Sequence, residues 1–163
     1  MVISTEDIEQ FAVVGGGEMG RGIAAVAALA GYRTTLNDID ESQLREAQEQ
    51  IDWSYGKLVD SGDASARDTE AASERLRFTT DLVDAVSETD FVTEAVVEQQ
   101  SIKEDVLAQL DEAAPPEAIL ASNTSGLNIT QLAETTGRPG QVIGTHWFNP
   151  PVLMELVEVS RTE

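Results

Sequence analysis

Apolar and polar positions along the chain switch repeatedly between two patterns. Four apolar residues in a row, Phe11 to Val14, run into glycines and then into an alanine-rich stretch from Ile23 to Leu29. A short apolar run bounded by glycine predicts a buried strand, and the alanine-rich stretch predicts a helix behind it. Arg33 to Asn37 (RTTLN) has the β-branched content of a second strand. From Glu41 to Val59, apolar residues fall at Leu44, Ala47, Ile51, Tyr55, Leu58 and Val59, close to the helical period, so this stretch predicts an amphipathic helix. Ser61 to Arg75 is polar and alanine-rich with Gly62 as a breaker, and fits either a second short helix or a loop excursion.

The same alternation continues to the end. Strands are predicted at Leu76 to Phe78, Phe91 to Val97, Ala118 to Ser122 and Val142 to Trp147, with Met154 to Val159 as a candidate last strand. Helices are predicted at Leu82 to Val86, from about Ser101 to Ala113, where Pro115 and Pro116 end it, and at Ile129 to Thr135. Parallel strands joined by right-handed helical crossovers are the natural solution for this order, which predicts a doubly wound, mostly parallel α/β sheet. With 163 residues, one domain is expected.

The first strand-to-helix turn gives the fold a ligand. Gly15, Gly17 and Gly20 form G-x-G-x-x-G, with Glu18 and Met19 between the last two. The first glycine allows the tight turn, the second lets backbone approach a pyrophosphate, and the third lets helix and strand pack closely. N–H groups at the helix start would face the phosphates, whose charge the helix dipole stabilises. Alone this hexapeptide is weak, but Asp38 follows 18 residues after Gly20 at the end of the second strand. A carboxylate there accepts hydrogen bonds from the adenosine ribose of NAD and repels the extra phosphate of NADP. The plainer alternative is that Asp38 only belongs to the turn; Asp40, with Gln43 three residues on, is the better cap for the next helix. The expected fold is therefore Rossmann-like.

Charge narrows the partners. Thirty acidic residues against ten basic ones, of which only Lys57 and Lys103 are lysine, give a formal charge of −20. Nothing here neutralises a row of phosphates, so nucleic acid is not an expected partner. With 41% hydrophobic residues in periodic blocks the charge does not signal disorder; it suits a folded surface in concentrated salt, and a halophilic source is the expectation. There is no cysteine, hence no disulfide or thiolate-metal site, and no metal is expected. No apolar run approaches the ~20 residues of a membrane span, and the opening MVISTEDIEQ is too acidic for a signal peptide. A cytoplasmic location away from membranes is the default.

In a doubly wound sheet, ligands sit outside the carboxyl ends of the strands. Polar residues expected there are Glu94 and Glu98, then Asn123, Thr124 and Ser125, then His146 and Asn149. His146 is the only histidine. A lone histidine is usually structural, but this one lies on the expected cofactor rim, and Glu158 follows 12 residues later, beyond a Pro150-Pro151 turn able to fold it back. An NAD-dependent alcohol oxidation needs a base for the hydroxyl proton, and a carboxylate on the other ring nitrogen would fix the imidazole tautomer.

GGGEMGRGIA, TEAVVE with Lys103 shortly after, ASNTSGLNIT, and above all GTHWFNPP followed by LVEV together resemble the NAD-binding domain of L-3-hydroxyacyl-CoA dehydrogenase, over about Phe11 to Val159. The resemblance implies His146 as the base acting on the 3-hydroxyl of an acyl-CoA substrate, with Glu158 as its partner. It implies Ser125 on the substrate oxygen, Asn149 holding substrate and nicotinamide, Glu98 and Lys103 on the nicotinamide side of NAD, and Ser54, with Lys57, on the helix that approaches CoA. Plainer alternatives are a turn cap for Ser125, a pre-proline turn for Asn149, a solvated first-turn lysine for Lys103 and a solvated charge for Glu158. Gln99 and Trp147 depart conservatively from the family's usual asparagine and phenylalanine. Family members continue into a helical domain that completes the acyl cleft and forms the dimer interface. On that likeness the present chain is expected to lack this domain, as a fragment, a truncated product or a separately encoded subunit. Beside the dehydrogenase reading stand an NAD-binding module that needs a helical partner, and a dehydrogenase of a small hydroxy acid.

Overall fold

A computed structural model describes residues 5–162; the first four residues of the acidic opening stretch lie outside the described residues. Seven strands form one sheet in the order β3-β2-β1-β4-β5-β6-β7. They are β1 (Gln10–Val14), β2 (Arg33–Asn37), β3 (Leu76–Thr79), β4 (Phe91–Glu94), β5 (Ile119–Ser122), β6 (Val142–Trp147) and β7 (Val157–Arg161). The first six are parallel, and β7 runs antiparallel to β6 with His146 opposite Glu158. This is the doubly wound sheet expected from the alternation.

Among the described residues, six α-helices cover the two faces: α1 (Glu18–Leu29), α2 (Glu41–Ser61), α3 (Ala66–Arg75), α4 (Leu82–Val86), α5 (Gln100–Ala113) and α6 (Ile129–Ala133). Successive residues of a strand point to opposite faces, and β1 shows it. Ala12 and Val14 pack with Leu107, Leu110 and Leu132 of α5 and α6, while Val13 packs with Ile23 and Leu44 of α1 and α2. Asp40 caps α2, its carboxylate accepting from the Ser42 N–H at 2.7 Å, as its spacing suggested.

Most boundaries fall within two residues of expectation, and four parts of the chain differ in a way the structure explains. Of the stretch 61–75, residues 66–75 form helix α3, because Ser65 caps it through the Asp68 N–H and Ala72 packs into the core, while Ser61 ends α2. Helix α1 begins five residues before Ile23, since the glycine turn itself starts it. The predicted strand Phe91 to Val97 stops at Glu94, whose carboxylate turns back to accept the Val96 N–H at 2.7 Å. The last strand starts at Val157, because Pro150 and its successors form a turn first.

The far edge of α5 is held by Arg138. Its guanidinium bonds the Asp111 carboxylate at 2.6 Å and the carbonyls of Asp111, Ala114 and Pro115, while the Gly137 N–H donates to the other Asp111 oxygen at 2.7 Å. Burial opposes the charge on Asp111, but the Gly137 N–H and Arg138 outweigh it and hold its carboxyl below the ordinary value. Asp111→Asn is expected to cost about 1.5–3 kcal/mol at pH 7. A depressed pKa stabilises above the unfolded value and is lost as pH falls through the folded one. The gap in urea midpoint between wild type and variant should therefore close below about pH 4.

Candidate functional site

The glycine turn has the geometry its sequence implied. Gly15 has φ +108°, so a side chain there would be strained, and a Cβ would lie 2.6 Å from the Ala95 carbonyl oxygen. A Cβ on Gly20 would lie 1.7 Å from the Gly15 carbonyl oxygen: α1 sits so close to β1 that only hydrogen fits. A Cβ on Gly17, by contrast, meets no atom within 4 Å, and no side chain caps this helix start. Open space thus faces the positive end of a helix, as a pyrophosphate requires. At the tip of β2, half-buried Asp38 accepts the Gly16 N–H at 2.7 Å and the Asp40 N–H at 2.9 Å, which sets its carboxylate beside the turn.

Across the rim, the tips of β5, β6 and β7 bring three predicted residues into one line. His146 Nδ1 lies 2.7 Å from Glu158 Oε2, and its Nε2 lies 3.2 Å from Ser125 Oγ. An ionised carboxylate only accepts, so the ring proton sits on Nδ1 and the Nε2 lone pair faces the Ser125 hydroxyl. The ring of Phe148 lies 4.5 Å away, centroid to centroid, and restricts the imidazole. The register of β6 with β7 places Glu158, and the turn at Pro150 returns the chain. The arrangement can take a proton at Nε2 and stabilise the resulting imidazolium through Glu158.

Glu98 and Lys103 adjoin this line at different depths. Glu98 Oε1 accepts the Thr124 hydroxyl at 2.5 Å and the Ser125 N–H at 3.1 Å, and its other oxygen lies 3.5 Å from Lys103 Nζ. Burial works against its charge, but Thr124, the Ser125 N–H and Lys103 hold its carboxyl below the ordinary value. Lys103 is wholly buried, so it is not a solvated first-turn lysine. Its ammonium donates to Glu94 Oε1 at 2.7 Å, to the Asn123 carbonyl at 3.0 Å and to the Val96 carbonyl at 3.3 Å.

The remaining predicted residues gather elsewhere. Glu18, Ser54 and Asn149 line a cleft of about 130 Å³ with Arg21, Trp53 and Pro150. The Ser54 hydroxyl donates to the Gln50 carbonyl at 2.8 Å, and Lys57 Nζ lies 5.7 Å from the Trp53 ring centre. Met19 follows Glu18 in the first turn of α1 and is half-buried. Pro151 packs on Gly22 of α1, where a Cβ would come within 2.8 Å of its ring, so the loop after β6 is fastened to the cofactor helix. A larger cavity, about 720 Å³, opens at the amino ends of β1 to β3, away from this chemistry. Among the described residues, no group of three or more His, Asp or Glu could hold a metal ion, and no helix is long and apolar enough to cross a membrane.

Sequence reading set Glu94 and Asn123 on the ligand rim and gave no role to Ser122; the structure buries Glu94 beneath that rim. Ser122 Oγ donates to Glu94 at 2.6 Å, and Asn123 Oδ1 accepts the Trp147 N–H at 3.1 Å, tying the tip of β5 to that of β6. A glutamate within an apolar strand was the available signal, because a buried carboxylate needs a cation.

Fold and site define a dinucleotide-binding α/β domain with a serine-histidine-carboxylate relay at its strand tips. The family model described as 3-hydroxyacyl-CoA dehydrogenase, NAD binding domain, matches residues 10–163. A probable 3-hydroxybutyryl-CoA dehydrogenase of Deinococcus radiodurans is 46% identical over 93% of this chain and 54% of its own length. The crystal structure of 3-hydroxybutyryl-CoA dehydrogenase from Escherichia coli superposes with a TM-score of 0.89 at 39% identity, covering 93% of this chain and 32% of that one. An NAD-dependent 5-formyl-3-hydroxy-2-methylpyridine 4-carboxylic acid 5-dehydrogenase superposes with a TM-score of 0.84 at 36% identity, over 93% and 48%. The chain belongs to the NAD-binding domain family of the 3-hydroxyacyl-CoA dehydrogenases. It spans about half the length of the first curated relatives it matches. NAD is the cofactor of this domain, and the open Gly17 cradle and the Asp38 carboxylate fit it.

Proposed function

We propose that this chain supplies the cofactor-binding and acid–base half of an NAD-dependent oxidation of a 3-hydroxyacyl-CoA to the 3-oxoacyl-CoA. The relay Ser125-His146-Glu158, on the same rim as the glycine cradle, carries the reading. Bound NAD would supply the acceptor for the hydride leaving the substrate carbinol. His146 Nε2 takes the hydroxyl proton in oxidation and returns it in reduction, Glu158 stabilises the imidazolium, and Ser125 orients the substrate oxygen. Asn149 and Ser54 line the cleft on the substrate side, and Glu98 borders the nicotinamide side. Gly15, Gly17, Glu18, Met19, Gly20 and Asp38 hold the dinucleotide.

Two observations support narrower readings. The half-length match to full dehydrogenases favours a module that needs a helical partner domain to enclose the acyl chain and to dimerise. The likeness to a pyridine-carboxylate dehydrogenase supports a small substrate without CoA. Acetoacetyl-CoA-dependent NADH oxidation by the chain alone, beside an NADH fluorescence titration, separates them. The expected result is NADH binding with Asp38-based preference over NADPH, and turnover that a helical domain raises. Absence of NADH binding would overturn all three readings.

The acidic surface supports a cytoplasm rich in salt. Its urea midpoint is expected to rise from dilute buffer to molar KCl as screening relieves self-repulsion; an unchanged midpoint would overturn this.

A further inference from the structure

Beneath the relay lies a buried charge pair that the proposed chemistry does not use. Glu94, at the tip of β4, and Lys103, in the second turn of α5, are both wholly buried and lie 2.7 Å apart. Such a pair rarely repays its desolvation through stability alone. Its bonding has a direction. Glu94 spends one oxygen on Lys103 and the Val96 N–H, and the other on the Ser122 hydroxyl. Lys103 in turn spends its protons on Glu94 and on the carbonyls of Asn123 and Val96, with Glu98 at 3.5 Å. Glu98 then holds the Thr124 hydroxyl and the Ser125 N–H. Apart from the bonds to Val96 in the loop after β4, the contacts run through Ser122, Asn123 and Glu98 to the end of β5 and the turn that carries Ser125.

We infer that Glu94 is a positioning residue: through Lys103 it fixes Glu98 and the Asn123 carbonyl, and so holds the Ser125 hydroxyl against His146. The charge on Glu94 is what matters. Without it the Lys103 ammonium has only half-exposed Glu98 as a carboxylate neighbour, and the support under Ser125 loosens. Lys103 is wholly buried below the rim, with its ammonium 3.5 Å from Glu98. The inference rests on Ser125 and His146 forming the acid–base site, but its test needs no substrate.

Because His146 is the only histidine, its Cε1–H NMR signal is unique in the full chain. Three variants are compared with wild type. Ser125→Ala gives the signal of an imidazole without its hydroxyl partner. Glu94→Gln with Lys103→Met removes both buried charges at similar volume, a change that buried pairs often tolerate. Glu98→Ala cuts the same line at a half-exposed position while leaving the buried pair intact. The expected result is that the double variant and Glu98→Ala each move the signal at least halfway from wild type to the Ser125→Ala position. A folded double variant with the wild-type signal would make Glu94 a core residue only and overturn the inference. If the double variant shows no cooperative urea transition, Glu98→Ala decides: an unmoved signal overturns it. Should Ser125→Ala itself leave the signal unmoved, the Ser125-His146 contact fails, and with it the acid–base reading; movement there without movement in the others defeats only the positioning role.

Discussion

Replacing His146 with Gln is expected to lower turnover of acetoacetyl-CoA about 10²- to 10⁴-fold, the usual contribution of a positioned general acid or base. That range corresponds to about 3–5 kcal/mol of transition-state stabilisation. Glutamine keeps much of the ring's reach and can still accept from Ser125, so packing against Phe148 is largely retained while proton transfer is lost. NADH affinity should stay within about twofold, because the residues proposed to hold the pyrophosphate and the adenosine ribose lie in the turn after β1 and at the tip of β2, not within β6. Both readouts are needed. A fall in turnover with NADH affinity intact places the loss in the chemical step, whereas wild-type turnover would remove His146 as the base. Glu158→Gln should fall between the two, since a neutral amide no longer stabilises the imidazolium that Nδ1–H bonds.

The legible part of this site is the part made of short-range pattern. Gly15, Gly17 and Gly20 each act through the local backbone, so spacing alone names their tasks; the structure shows the turn at Gly15 and the close approach at Gly20, and leaves open space at Gly17. Asp38 and Asp40 were separable because a helix cap and a strand-tip carboxylate obey different local rules. His146 and Glu158 were connectable because one turn and an antiparallel register join them. Lys103 was harder. A lysine near a helix start in an acidic chain reads as solvated, and only the depth of α5 against β4 and β5 shows that it is enclosed. Glu94, Ser122 and Asn123 meet across three strand tips and a helix, at sequence separations that no periodicity encodes. The end of β4 was missed for the same reason: the apolar pattern runs on through Val97, but the Glu94 carboxylate captures the Val96 N–H and breaks the ladder.

Gly20→Ala is expected to be the most damaging single methyl in the chain's cofactor half, and comparison with Gly17→Ala shows why. At Gly20 the new Cβ would sit 1.7 Å from the Gly15 carbonyl oxygen and 2.9 Å from its carbon. Both are backbone atoms of a turn already fixed at φ +108°, so neither can swing aside, and α1 must move off β1. Overpacking in a close-packed interior costs about 1–3 kcal/mol even when side chains give way; with backbone on both sides about 4 kcal/mol or more is expected, a large share of the ~5–15 kcal/mol that holds a domain together. NADH affinity should fall at least about 100-fold, since the N–H groups that face the phosphates move with the helix. Gly17→Ala separates the two effects. Its Cβ meets no protein atom within 4 Å, so the urea midpoint should stay close to wild type while the methyl enters the space proposed for the pyrophosphate and weakens NADH binding. A Gly17→Ala protein that bound NADH as tightly as wild type would mean that the dinucleotide does not lie against this turn, and the assignment of the cradle would fail even with the fold intact.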